Sequence, residues 1–202
     1  MNKNTEDSIQ KQTELLNEAI DIVDEGKFKK ALATGALAMA SLLPLKANIN
    51  PQALYKQISG HEGIERTVYP DMGDWSIGIG FNISEPHNQA FLKKIGVDIN
   101  DLMNGAKIDD KTIDLMYNHS LTQAWKDINA LIPNFNSLPS NVKMVLIDMS
   151  FNLGKTRLSG FKKMLAAVKS GDFQTAADEM VDSAWYGQVK GRAKNLERLM
   201  RK

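Results

Sequence analysis

The chain has no cysteine, which excludes disulfide staples, thiolate nucleophiles and cysteine-bound metal. Its three histidines, His61, His87 and His119, lack metal-ligand spacing. Asp71-x-Gly73-Asp74 is too short for a calcium loop, which draws on twelve residues. No metal and no cofactor is therefore expected. An excess of one charge is missing too: 25 Lys and Arg face 24 Asp and Glu, a net charge of +1. The chain as a whole has no polybasic footprint, and no nucleic-acid partner is expected. The cations are nevertheless uneven, because Lys190, Arg192, Lys194, Arg198, Arg201 and Lys202 crowd the end against Glu197 alone. Such a patch suits an anionic polymer, and equally a solvated helix face. The uncharged run Ala31 to Leu45 falls short of the roughly 20 residues of a membrane-spanning helix. At 202 residues the chain can bury one sizeable core, with room for an appendage.

What is present is a patterned stretch, VYPDMGDWSIGIGFN, from Val68 to Asn82. Trp75, Ile77, Ile79 and Phe81 alternate with Ser76, Gly78, Gly80 and Asn82, which is the period of a strand with one apolar face and one nearly bare face. Thr67 to Asp71 reads as a second strand, and Met72-Gly73-Asp74 as the turn of an antiparallel hairpin. The bland alternative is an ordinary hairpin whose glycines mark a bulge. A phosphate loop fits poorly, since Gly78-x-Gly80 has no third glycine and no helix directly behind it.

Asn50-Pro51 is a helix start, a capping asparagine followed by proline at the first helical position. Leu54, Ile58 and Glu62 then follow at steps of four, on one face. A carboxyl held against a core loses solvation, whereas Asp71 lies at a polar hairpin mouth. Two carboxyls in contrasting surroundings suit acid/base chemistry, above all glycoside hydrolysis. The plainer reading leaves Glu62 at a frayed helix end, paired with a cation.

Taken together, HEGIERTVYPDMGDWSIGIGFNI resembles the catalytic segment of the phage-type (T4-like) lysozymes, glycoside hydrolases of bacterial peptidoglycan. Glu62-Gly63, Tyr69-Pro70-Asp71 and Ser76-Ile77-Gly78-Ile79-Gly80 match in order. Downstream, Phe151-Asn152-x-Gly154 with Gly160-Phe161, and Trp185-Tyr186-x-Gln188 with Arg192-Ala193, match as well, so the likeness runs from about Pro51 to the C-terminus. It implies an α+β, mostly helical, two-lobed fold: a small β-hairpin lobe, a helical lobe and a cleft between them. It implies Glu62 as general acid, Asp71 as the base that activates water, and Ser76 as the hydroxyl holding that water. In an inverting enzyme the two carboxyls stand roughly 6.5–9.5 Å apart. Tyr69, Gly80, Asn82, Phe151 and Asn152 are expected to bind substrate, the glycines letting a glycan lie against the backbone, and Arg192 is the cation expected to pair with the catalytic glutamate. Three departures stand out. Phe81 replaces a histidine common in the family, with Ser120 near where that histidine's acidic partner falls; Ser76 replaces the commoner threonine; and the turn before Ser76 is slightly short.

The remaining pattern is helical. Ile113, Met116, Tyr117, Leu121, Ala124, Trp125, Ile128 and Leu131 keep one period from Asp109 onward, and Pro133 to Ser140 breaks it. Further helices are expected over Val142 to Leu153, stopped by Gly154, over Phe161 to Val168, stopped by Gly171, and over Phe173 to Met180. Residues 51–202 thus form the lysozyme-like domain, and 1–50 a helical extension. In the extension, Ile9, Leu16, Ile20 and Val23 make a stripe ended by Gly26. Lys27, Lys29 and Lys30 then precede the uncharged run, which reads as a signal or signal-anchor with Ala47 as a cleavage edge, or as half of a helical hairpin packing on the enzyme, on itself or on a phage particle.

The expected activity is that of an N-acetylmuramidase cutting the β-1,4 bond between N-acetylmuramic acid and N-acetylglucosamine, for cell wall degradation or host lysis. The alternatives are a non-catalytic wall-binding or virion protein on the same fold, and a lytic transglycosylase. The expected partner is the glycan strand, met in the periplasm or wall by a monomeric catalytic domain made in the host cytoplasm. Residues 1–50 are the candidate contact to the inner membrane or a virion, with 27–47 as the export segment.

Overall fold

The computed structural model describes residues 48–71 and 73–202. The expectations placed on residues 1–47, the amphipathic stripe and the signal-like run, lie outside the described residues, as does Met72 of the turn. The described chain forms two compact units, one of residues 58–120 and one of 48–57 with 121–202.

Helix α1 (Pro51–Glu62) opens as the sequence predicts. Asn50 Oδ1 accepts the backbone N–H groups of Gln52 at 2.9 Å and Ala53 at 3.1 Å, satisfying donors that a first turn leaves unpaired. Leu54 and Ile58 are both fully buried.

In the first unit, β1 (Glu65–Asp71), β2 (Asp74–Gly78) and β3 (Phe81–Asn82) form an antiparallel sheet in the order β1-β2-β3. Pro70 lies within β1, which is tolerated because β1 is an edge strand. The hairpin between β1 and β2 is as expected, with Asp71 opposite Asp74. The long strand over Trp75 to Asn82 is not. Gly78 and Gly80 have φ of +67° and +61°, a left-handed conformation that disfavours residues with a Cβ, so the chain doubles back and sets Ile77 opposite Phe81 and Ser76 opposite Asn82. The two proposed faces fail accordingly. Ile77, Ile79 and Phe81 are buried but Trp75 is 43% exposed, and Ser76, on the supposedly bare face, is buried. Helices α2 (Pro86–Lys94) and α3 (Ile99–Met103) follow, the second capped by Asp98, which accepts the N–H of Asn100.

Helix α4 (Asp110–Leu131) is the long helix read from the sequence. Asp109 caps it by accepting the Thr112 N–H at 2.8 Å, and hydrogen bonds from the Thr112 hydroxyl first and this N–H second hold its carboxyl below the usual range. In the second unit come α5 (Ser140–Ser159), α6 (Lys162–Ser170), α7 (Phe173–Val181), α8 (Ala184–Val189) and α9 (Gly191–Met200). The backbone leaves helical geometry at Gly154 (φ 66°, ψ 170°), and Gly171 follows α6 in the left-handed region, both where stops were predicted. Val142, Val145, Leu146 and Met149 of α5 are fully buried, as are Met180 of α7 and Leu196 and Met200 of α9. No helix of the described residues is long and apolar enough to cross a membrane. The architecture is the mostly helical α+β fold expected for a lysozyme.

Candidate active site

Five of the predicted residues come together in the first unit. Glu62 ends α1, and Gly63, with φ of +78°, turns the chain toward β1. In the β1–β2 ladder Tyr69 stands opposite Ser76. The Ser76 hydroxyl, on a residue 1% exposed, donates to Asp71 Oδ2 at 3.4 Å, a long bond. Burial pushes the Tyr69 phenol up to about 12, and the negative charges of Asp71, Glu62 and Glu65 push the same way, against a hydrogen bond with Ser76. Tyr69 is therefore a neutral donor or acceptor amid carboxylates across the working pH range.

The bare position at Gly80 has a local reason. A Cβ there would stand 2.7 Å from Glu62 Oε2 and 3.0 Å from Glu62 Cδ. The glycine leaves space for the Glu62 carboxyl. Gly78 instead faces Met116 and Ile108 at ordinary contact distance.

Asn82 is engaged within its own turn. Its Nδ2 donates to Asp74 Oδ2 at 3.1 Å, its Oδ1 accepts the Ser84 N–H at 2.8 Å, and its backbone oxygen accepts from Asn88 Nδ2 at 2.8 Å. Ser84 and Asn88 were not singled out in the sequence, where only a short polar cluster marks them. Phe81, at the family's usual histidine position, is buried, with the rings of Phe91 and His119 each 6.0 Å away and those two stacked at 4.1 Å.

Phe151, Asn152 and Arg192 belong to the second unit. Phe151 and Asn152 lie on α5 just before its break, and Asn152 Oδ1 accepts the indole N–H of Trp185 at 3.0 Å. Trp185 is buried with its ring edge-on to Phe161. Unlike the exposed cations around it, Arg192 is 7% exposed. It donates through Nε to Asp148 Oδ1 at 2.7 Å and through Nη2 to the Asp148 backbone oxygen at 3.1 Å. The other carboxylate oxygen of Asp148 accepts from Gln57 Nε2 at 2.7 Å. Asp148 was missed, although its signal was available: a lone carboxylate inside the apolar run of α5 requires a buried partner. The same unit contains a pocket of about 590 Å³ lined by Phe161, Met164, Trp185, Arg157, Lys162 and Asp182 among others.

A mostly helical α+β fold, with Glu62 ending α1 and the hairpin that follows linking Asp71 to Ser76, is the architecture expected of a lysozyme-like glycoside hydrolase. The chain belongs to the phage lysozyme family, whose sequence profile matches residues 59–202. It is 26% identical over 167 residues to the pre-baseplate central spike protein Gp5 of Enterobacteria phage T4, covering 77% of this chain and 28% of the spike protein. It is 28% identical over 147 residues to probable T4-type lysozyme 2 of Dictyostelium discoideum and 29% identical over 145 to probable T4-type lysozyme 1. Each of these two alignments covers 67% of this chain and 85% of the relative.

Proposed function

We propose that the chain is an N-acetylmuramidase that hydrolyses the β-1,4 bond between N-acetylmuramic acid and N-acetylglucosamine, with Glu62 as general acid and Asp71 as base. Glu62 gives its proton to the glycosidic oxygen. Asp71 accepts a proton from the attacking water on the opposite face of the sugar, and Ser76, hydrogen-bonded to Asp71 at 3.4 Å, orients that water. The observation that carries this reading is the clearance of Gly80 for the Glu62 carboxyl beside a hairpin that binds Asp71 to Ser76. Tyr69, Gly80, Asn82, Phe151 and Asn152 bind the glycan, and Arg192 is the supporting cation. Residues 51–202 are the catalytic domain, and residues 1–50 are its address or tether.

The likeness to a spike protein favours a second reading of location. In that reading the chain acts on the wall as part of a phage particle, where the first reading has it released for lysis. Both readings keep the same chemistry. Digestion of purified peptidoglycan by the wild-type chain, Glu62→Gln and Asp71→Asn tests it. Reducing-end products from wild type alone support it, while a Glu62→Gln protein that still clears walls removes it. Anhydro sugar ends that persist in Asp71→Asn would instead identify a transglycosylase.

A further inference from the structure

Helix α1 is weak near the residue on which the reaction depends. Gly60 lies in its last turn, and among the described residues no atom outside the helix's own backbone comes within 4 Å of where a Cβ would be; a helical glycine adds conformational freedom without packing. Three residues upstream, Gln57 donates to Asp148 Oδ2 at 2.7 Å. Asp148 is fully buried and rigidly held, since Arg192 grips both its other carboxylate oxygen, at 2.7 Å, and its backbone oxygen, at 3.1 Å. With Arg192 as countercharge, Asp148 does not need Gln57 to be neutralised. What the Gln57 bond adds is a side-chain tie on α1, five residues or about 7.5 Å along the helix from Glu62.

We propose that Gln57 and Asp148 are positioning residues that set the Glu62 carboxyl through α1. The inference rests on reading Glu62 as the general acid. Misplacing a reacting group by about 1 Å costs on the order of 10²-fold in rate, so a loosened α1 lowers turnover while leaving glycan contacts elsewhere in place.

Gln57→Met keeps the side chain's volume and removes the donor, whereas Gln57→Lys keeps a donor toward Asp148. We would assay both in the full chain on soluble peptidoglycan fragments, well below their melting temperatures, with Glu62→Gln beside them. The expected result is a kcat about 10-fold or more lower in Gln57→Met with KM within about two-fold, and recovery to within about three-fold in Gln57→Lys. An unchanged kcat in Gln57→Met, a change confined to KM, or a loss that lysine does not repair overturns the inference. An inactive Glu62→Gln with a fully active Gln57→Met removes the positioning role alone. An active Glu62→Gln removes the reading of Glu62, and the inference with it.

Discussion

At the scale of single residues, Gly80 leaves the space that the Glu62 carboxyl fills. An alanine there takes on a left-handed φ of +61°, which costs about 1–2 kcal/mol, and its Cβ displaces the flexible end of Glu62. We therefore expect Gly80→Ala to lose only that modest stability, measured by urea unfolding, but on the order of 10²-fold in wall-lytic activity. Tyr69 gives a second check. Its phenol, raised to about 12 from an unfolded value near 10, favours the folded state fully below pH 10, and that contribution is lost as pH rises through about 12. Ultraviolet absorbance should show a tyrosine ionising near pH 12 that disappears in Tyr69→Phe and moves down in Glu62→Gln. The residues themselves were legible in the sequence, because Glu62, Tyr69, Asp71 and Ser76 stand in a recognisable order. The purpose of Gly80 was not, since alternation with period two cannot tell a strand from a pair of left-handed turn residues. The neighbour it makes room for also comes from another element.

At the scale of elements, long periodic helices with clear ends were readable, as α4 and the interrupted α5 attest. The short α2 and α3 were not, because nine and five residues give few turns of pattern, although Pro86 at the start of α2 was a usable signal. Packing supplies what pattern cannot. The buried Asp148 ties α5 to α9 through Arg192 and to α1 through Gln57. Asp148→Ala removes the buried carboxylate that the Arg192 guanidinium grips and should cost about 3–5 kcal/mol in denaturant unfolding. Leu146→Ala, at a fully buried site on the same helix, should cost about 2–5 kcal/mol through loss of burial and the cavity it leaves. A cost under about 1 kcal/mol at either position would contradict the packing described here.

At the scale of the whole molecule, the near balance of charge conceals a division of labour among the cations at its end. Arg192 is buried on Asp148, and Arg201 is spent on Glu197 and Asp178. Lys190, Lys194, Arg198 and Lys202 remain exposed, a feature composition alone could not separate. Fold class and family were readable from three motifs in order, while the partner of each charge required the folded chain. The central claim, a hydrolase run by Glu62 and Asp71, is tested most directly by digesting purified peptidoglycan with the full chain and analysing released ends by mass spectrometry. The account predicts reducing-end muropeptides from the wild type and none from Glu62→Gln or Asp71→Asn; anhydro ends, or equal release by Glu62→Gln, would contradict it.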